Sequence, residues 1–344
     1  WLDKLGLKVP ATLDELVQVA VAFAQKDPDG NGKKDTIGMS SYTSGMAVFD
    51  VVFGGHGTAQ SPMAIYKSPA DGRLHCPLFD AHFREALAYS RRMLESGALD
   101  AELLALPQNQ RQNMMIEGRI GIWFTRWPWL LKPEWMDKVK GVNPGAQWEH
   151  IPDPKGPYAD YAEPMTPFFL QPQCSPAATA KKPEVLEALI RLFNYAAVPP
   201  GLNLVCYGQE GRHWKVENGA IVAADMGLMT KEVTYSWPYQ FAGRLEAEYL
   251  GVKFPYAKSA IANANARKYV PDYTGYIDVP KDMTFVADLR RYSEEQVMAF
   301  VTGKRPLSEF DDFVKQWRTT FKGDVWLDLA RKQGRERFQL ECAF

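Results

Sequence analysis

Residues 27 to 35 read Asp-Pro-Asp-Gly-Asn-Gly-Lys-Lys-Asp, with an oxygen-bearing side chain at every second position but one. Asp27, Asp29, Asn31 and Asp35 supply those side chains, and at Lys33 the backbone carbonyl can serve instead. Gly32 permits the sharp turn that wraps the loop around one point. The pattern is the first part of an EF-hand-type loop, with ligands at positions 1, 3, 5, 7 and 9 and glycine at 6. Calcium is the expected ion, because it is hard, takes about six to eight oxygens and accepts carbonyls. Position 12, which should carry a bidentate acid, is Gly38. The loop must borrow a ligand, use water or bind weakly. The competing reading of the same residues is a solvated Asx/Gly turn.

The chain around the loop reads as alternating helices and short strands. Thr12 and Glu15 form a capping box ahead of Leu16, Val17, Val19, Ala20 and Phe23, predicting a helix to about Lys26. Thr36 to Ser40 predicts a strand. Gly45 to Phe53 is apolar and stops at Gly54-Gly55-His56-Gly57. Ala64–Tyr66 and Arg73–His75 suggest a hairpin about Asp71-Gly72. Asp80 is the expected cap of a helix that ends at Gly97, and Gln110 to Glu117 predicts another. Arg119 to Phe124 reads as a buried strand, and Pro133 to Lys140 as a short helix. Asn143 to Pro167 is Pro/Gly-rich loop and edge strand, followed by a strand at Phe168 to Leu170. Lys182-Pro183 opens a helix to Ala197 with Val185, Leu186, Leu189, Leu192 and Phe193 on one face. Asn218-Gly219 is a hairpin turn. Helices near Ser293 to Val301 and from Leu307 through Trp317 close the pattern, with the second expected to be the last. The class is α/β.

Length and charge narrow the partners. The 344 residues are 46% hydrophobic and 24% charged, enough chain for two lobes. A net charge of −1 gives no electrostatic case for nucleic acid or an anionic membrane. No stretch approaches the roughly 18 apolar residues of a membrane span. Cys76, Cys174, Cys206 and Cys342 show no metal or framework spacing and are expected to be free and mostly buried.

The aromatic residues point to a binding surface. The chain has ten Trp, fifteen Tyr and eighteen Phe; a large core uses many of these, but Trp in polar, Pro-rich stretches is harder to explain as core. Trp127 and Trp129 flank Pro128 just beyond the strand that ends at Phe124, at the edge where open α/β sheets bind ligands. Flat indole faces suit the C–H faces of sugars, and the indole N–H adds a polar handle. Trp237 and Tyr239 repeat the arrangement around Pro238, and Phe168 is a weaker candidate. Packing over the sheet is the alternative role for each. His75, Cys76 and His82 fit no zinc spacing. Asp160 and Glu163 could pair as glycosidase carboxylates but read more simply as solvated loop acids. No G-x-S-x-G, P-loop or G-x-G-x-x-G occurs, so nothing positive argues for an enzyme.

Several motifs in order resemble the extracellular solute-binding proteins of family 1, the sugar-binding lipoproteins of ABC importers, especially the large oligosaccharide- and alginate-binding group. The opening helix, capping box and calcium loop follow one another as they do there. Glu117-Gly118-Arg119-Ile120-Gly121-Ile122 is similar to a family strand, and Lys182-Pro183-Glu184 through Tyr195 to a family helix. Tyr207-Gly208-Gln209-Glu210-Gly211-Arg212-His213-Trp214 and Phe300 through Asp311 resemble two further stretches. Trp127 and Trp129 fall where maltodextrin-binding relatives carry stacking tryptophans.

The resemblance implies a type II periplasmic-binding fold of two lobes, mostly the second lobe here. It assigns residues 1–205 to the second lobe, 206–275 to part of the first, and 276–344 to a return to the second. The rest of the first lobe is expected upstream of Trp1. It further implies an oligosaccharide held between lobes, ABC permease subunits as partners, structural calcium, a monomer, and an extracellular or periplasmic protein held by a lipid anchor. Thr36 stands where the family has an acid, which weakens the expected calcium site. The rival is a calcium-containing carbohydrate-active enzyme or a surface glycan-binding scaffold.

Overall fold

The computed structural model describes residues 1–41, 62–100, 102, 106–125, 133–160, 162–165, 174–233, 246–254 and 258–344. The chain forms two compact units, Trp1–Phe168 with Ala266–Phe344, and Phe169–Asn265.

The first unit opens with α1 (Leu2–Leu5) and α2 (Leu13–Gln25). The capping box at Thr12 and Glu15 forms as the sequence predicts: Thr12 Oγ1 accepts from Glu15 N, and Glu15 Oε2 accepts from Thr12 N at 3.1 Å. Strand β1 (Ile37–Ser41) follows, then a hairpin of β2 (Tyr66–Lys67) and β3 (Leu74–His75). Helix α3 (Phe83–Glu95) is capped differently from the expectation. His82 is the N-cap residue, while the Asp80 carboxylate accepts the Tyr66 hydroxyl at 2.7 Å and faces His75 Nδ1 at 3.3 Å. Next come α4 (Gln108–Ile116), β4 (Ile120–Phe124), α5 (Pro133–Val142) and β5 (Ala162–Met165).

The second unit contains α6 (Pro183–Ala197), α7 (Gly201–Tyr207), the hairpin β6 (Trp214–Glu217) and β7 (Ala220–Ala223), α8 (Met226–Glu232), α9 (Glu246–Lys253) and most of α10 (Lys258–Ala266). The Asn218-Gly219 turn forms with φ of 52° and 78°, the paired positive values a two-residue hairpin favours. In α6 the apolar stripe is largely open: Val185, Leu186 and Leu192 are 41%, 37% and 46% exposed, and Ala196 is the buried residue of the helix.

The chain re-enters the first unit at β8 (Lys268–Pro271), followed by α11 (Phe285–Val301), α12 (Phe310–Thr319) and α13 (Gly323–Phe338). Helix α11 begins eight residues before the expected Ser293, and α13 follows the helix expected to be the last. Its glycines interrupt the apolar pattern, yet Gly334 lies so close to Leu74 that an added Cβ would stand 2.9 Å from Leu74 Cδ1.

Two parallel strand pairs organise the first unit. In β1–β4, Ile37 pairs with Ile120 and Met39 with Ile122. The described residues of β1 are buried, as expected where both faces of a parallel sheet are covered. Met39 joins the main core with α2, α3 and α11–α13, while Ile37 and Ile120 join a second cluster with Met115 and Val139. Strand β4 is less buried than expected, because only Ile120 is fully enclosed. The β5–β8 pair brings residues 162–165 beside 268–271. None of the cysteines forms a disulfide; Cys76, Cys206 and Cys342 are buried and Cys174 is exposed. The apolar run 45–53 and the strand expected at 168–170 lie outside the described residues.

Candidate functional site

The loop between α2 and β1 is built by its own side chains. Asp27 takes a positive φ of 47°, Gly30 one of 75° and Gly32 one of 76°, which curls three amides toward one carboxylate. Asp27 Oδ1 accepts from Gly30 N and Asn31 N at 3.0 and 3.1 Å, and Oδ2 accepts from Gly32 N at 3.0 Å. Asp29 Oδ1 accepts from Asn31 N at 3.3 Å, and Asn31 Oδ1 from Lys33 N at 2.7 Å. Each of these side chains is thus fixed by an amide two to five residues further on. Asn31 Nδ2 then donates to Asp29 Oδ2 at 2.8 Å and to Asp35 Oδ1 at 3.1 Å, so one amide group bridges two carboxylates.

The carboxylates crowd one another. Asp27 is held below the usual carboxylate range by its hydrogen bond with Asp29 and then by the loop amides. Asp29 is pushed up by partial burial and by Asp27 beside it. Two acids that share a site separate in this way unless a cation compensates them.

Position 12 cannot supply the missing ligand. Gly38 lies in β1, where an added Cβ would stand 2.2 Å from the Ala20 carbonyl oxygen and 2.8 Å from that of Ala98. Thr36 is also turned away: it is buried, and its hydroxyl donates to the Phe23 carbonyl at 2.8 Å. Two cations not anticipated from spacing grip the loop from outside. Lys4 Nζ donates to the Pro28 carbonyl at 2.8 Å, and Arg119 Nε to the Asp35 carbonyl at 3.2 Å. Neither contact leaves a local sequence signal, since each joins residues far apart in the chain.

The donor set is chemically suited to a hard ion, since it consists of carboxylate, amide and carbonyl oxygens. Among the described residues no three His, Cys, Asp or Glu side chains gather closely enough to form a metal cluster. The Asn31 side chain occupies the place between Asp29 and Asp35, so a cation would have to displace that bridge.

The aromatic candidates Trp127, Trp129, Trp237, Tyr239 and Phe168 lie outside the described residues. His75 is held between Asp71, at 3.0 Å from Nε2, and Asp80. Asp160 pairs with Lys268 at 2.6 Å, and that ammonium holds its carboxyl below the usual range. The side chain of Glu163, its supposed partner, lies outside the described residues.

No family model matches the chain. It is 21% identical over 336 residues to the polygalacturonan/rhamnogalacturonan-binding protein YtcQ of Bacillus subtilis, covering 93% of this chain and 63% of the relative. The chain therefore spans a little under two thirds of that protein's length. Its fold is similar to that of the alginate-binding protein AlgQ2 in a calcium-free crystal structure, with a TM-score of 0.62, 21% identity, and coverage of 92% of this chain and 67% of AlgQ2. An EF-hand mutant of the Streptococcus pneumoniae substrate-binding protein FusA, in complex with fructo-nystose, aligns with a TM-score of 0.58, 18% identity, and coverage of 98% and 70%. All three are named as binding proteins. Along nearly its whole length the chain is thus similar in sequence to a polysaccharide-binding protein, and it shares the α/β fold of AlgQ2 and FusA.

Proposed function

We propose that this chain belongs to the substrate-binding component of an ABC importer, which captures an oligosaccharide and hands it unaltered to membrane permease subunits. The observation that carries this reading is the match over 93% of the chain to a protein named for binding polygalacturonan and rhamnogalacturonan. The glycan would lie between two lobes whose closure presents a surface to the permease. Trp127, Trp129, Trp237, Tyr239 and Phe168 are the residues proposed to contact it. The lobe assignment from sequence is part of the same proposal, with residues 206–275 in the first lobe and residues 1–205 and 276–344 in the second; of these, residues 206–265 fall together in the second compact unit. The protein would act outside the cell as a lipid-anchored monomer. No helix among the described residues is long and apolar enough to cross a membrane.

Calcium would be held by Asp27, Asp29, Asn31, Asp35 and the Lys33 carbonyl, with water in place of the absent ligand at loop position 12. It would supply positive charge to crowded carboxylates and fix the turn from α2 into β1. The role is structural, remote from chemistry on the sugar.

Isothermal titration against a panel of pectic, fructan and alginate oligosaccharides tests the glycan reading, with recovered sugar analysed by mass spectrometry. Saturable binding, intact sugar and weakened binding by Trp127→Ala at unchanged melting temperature are expected. Cleaved sugar would make the protein an enzyme. Unfolding of Trp127→Ala would return Trp127 to the core.

A further inference from the structure

We propose that Lys4 is a built-in counter-charge of the 27–35 loop, stabilising its metal-free form and weakening its hold on calcium. The inference rests on the calcium reading above and concerns what sets the affinity of that site.

Lys4 is held in position. It lies on α1, and the preceding Trp1 packs edge-on against Phe23 of α2 with ring centroids 5.3 Å apart. Gly121 of β4 closes over both rings: an added Cβ there would stand 2.3 Å from Phe23 and 2.9 Å from Trp1. From this anchored turn the ammonium reaches the loop at Pro28 and Gly30. It donates to the Pro28 carbonyl at 2.8 Å, and an added Cβ at Gly30 would stand 2.5 Å from Nζ.

These are loop positions 2 and 4, interleaved with the ligand positions 1, 3 and 5. The ammonium therefore sits against the backbone between Asp27, Asp29 and Asn31. Its partner is a carbonyl, so its charge is not spent on a single acid and acts on the whole group. Without metal, that charge offsets the mutual repulsion of Asp27, Asp29 and Asp35. With a divalent ion among them, the same charge is repulsive. A monovalent charge several ångströms from a divalent one, in a partly solvated site, changes affinity about three- to tenfold. The loop is thus tuned down twice, by Gly38 at position 12 and by Lys4 at its outer face.

The test is calcium titration of the full chain and of Lys4→Met, which keeps the aliphatic stem and removes the charge. Titrations are run at 0.1 M and 1 M KCl, with melting temperatures in EGTA. Lys4→Met is expected to bind calcium about three- to tenfold tighter at 0.1 M KCl. The advantage should shrink toward unity at 1 M, where the screening length falls to about 3 Å. The variant should also melt lower than wild type in EGTA, and Lys4→Arg should keep the wild-type affinity. A purely anchoring Lys4 would instead give weaker binding in Lys4→Met at both salts, and that result overturns the proposal, as does equal affinity. Absence of calcium binding in wild type and variant alike would remove the metal reading as well.

Discussion

Gly38 of β1 lies directly against the backbone of Ala20 in α2, so closely that a Cβ at position 38 would stand 2.2 Å from the Ala20 carbonyl oxygen. The helix that enters the loop and the strand that leaves it therefore touch main chain to main chain. The same contact removes the acid that a complete calcium loop would place at its end.

Restoring the motif at that position should fail. Gly38→Glu would drive a side chain into backbone that cannot yield, and overpacking of this kind costs about 1–3 kcal/mol or more. The melting temperature should fall equally in calcium and in EGTA, with no gain in calcium affinity by titration. A variant that binds calcium more tightly and melts no lower would show that the strand can move aside.

Asp153 and Arg267 join two distant parts of the first unit through a two-pronged ion pair. Nε and one terminal nitrogen of Arg267 each meet a different carboxylate oxygen at 2.7 Å, and the two side chains are only 8% and 19% exposed. Breaking a largely buried pair by truncating one partner costs about 3–5 kcal/mol. Asp153→Ala should show that loss in urea unfolding, whereas a loss below about 1 kcal/mol would place the pair among ordinary surface contacts.

Lys253 gives the second unit a pH signature. Its ammonium is buried and donates to the carbonyls of Met229 and Val233. Burial lowers its pKa from 10.5 to about 8, with Cys206 acting in the opposite direction. Between those values the unfolded chain binds a proton that the folded chain does not, so stability from this group rises as pH increases from about 8 to 10.5. Unfolding free energies of wild type and Lys253→Met from denaturant titrations should change differently between pH 8 and pH 10, by about 2–3 kcal/mol. Parallel pH profiles would mean that the amine is already solvated.

The parts of the fold that were legible in sequence are those decided by neighbours along the chain. Thr12 and Glu15 specify their cap within four residues, and Asn218-Gly219 specifies its hairpin within two. Asp80 misled because its carboxylate is claimed by Tyr66 and His75, partners that local pattern cannot reveal. The apolar face of α6 reads like a core helix, yet Val185, Leu186 and Leu192 stand exposed, because periodicity fixes which residues share a face and not what covers it. Helix α13 was hidden by glycines whose fit depends on Trp317 and Leu74. In the loop the ligand positions were readable from spacing. Lys4, Arg119 and the steric veto at Gly38 were not, since each depends on a distant part of the chain.

The most direct measurement is the melting temperature of wild type and Asp29→Ala in millimolar calcium and in EGTA. The account predicts that wild type melts higher in calcium than in EGTA, that Asp29→Ala loses this increment, and that the two proteins melt alike in EGTA. Equal differences between the two proteins in both conditions would contradict it, and would leave residues 27 to 35 as a hydrogen-bonded turn without a metal.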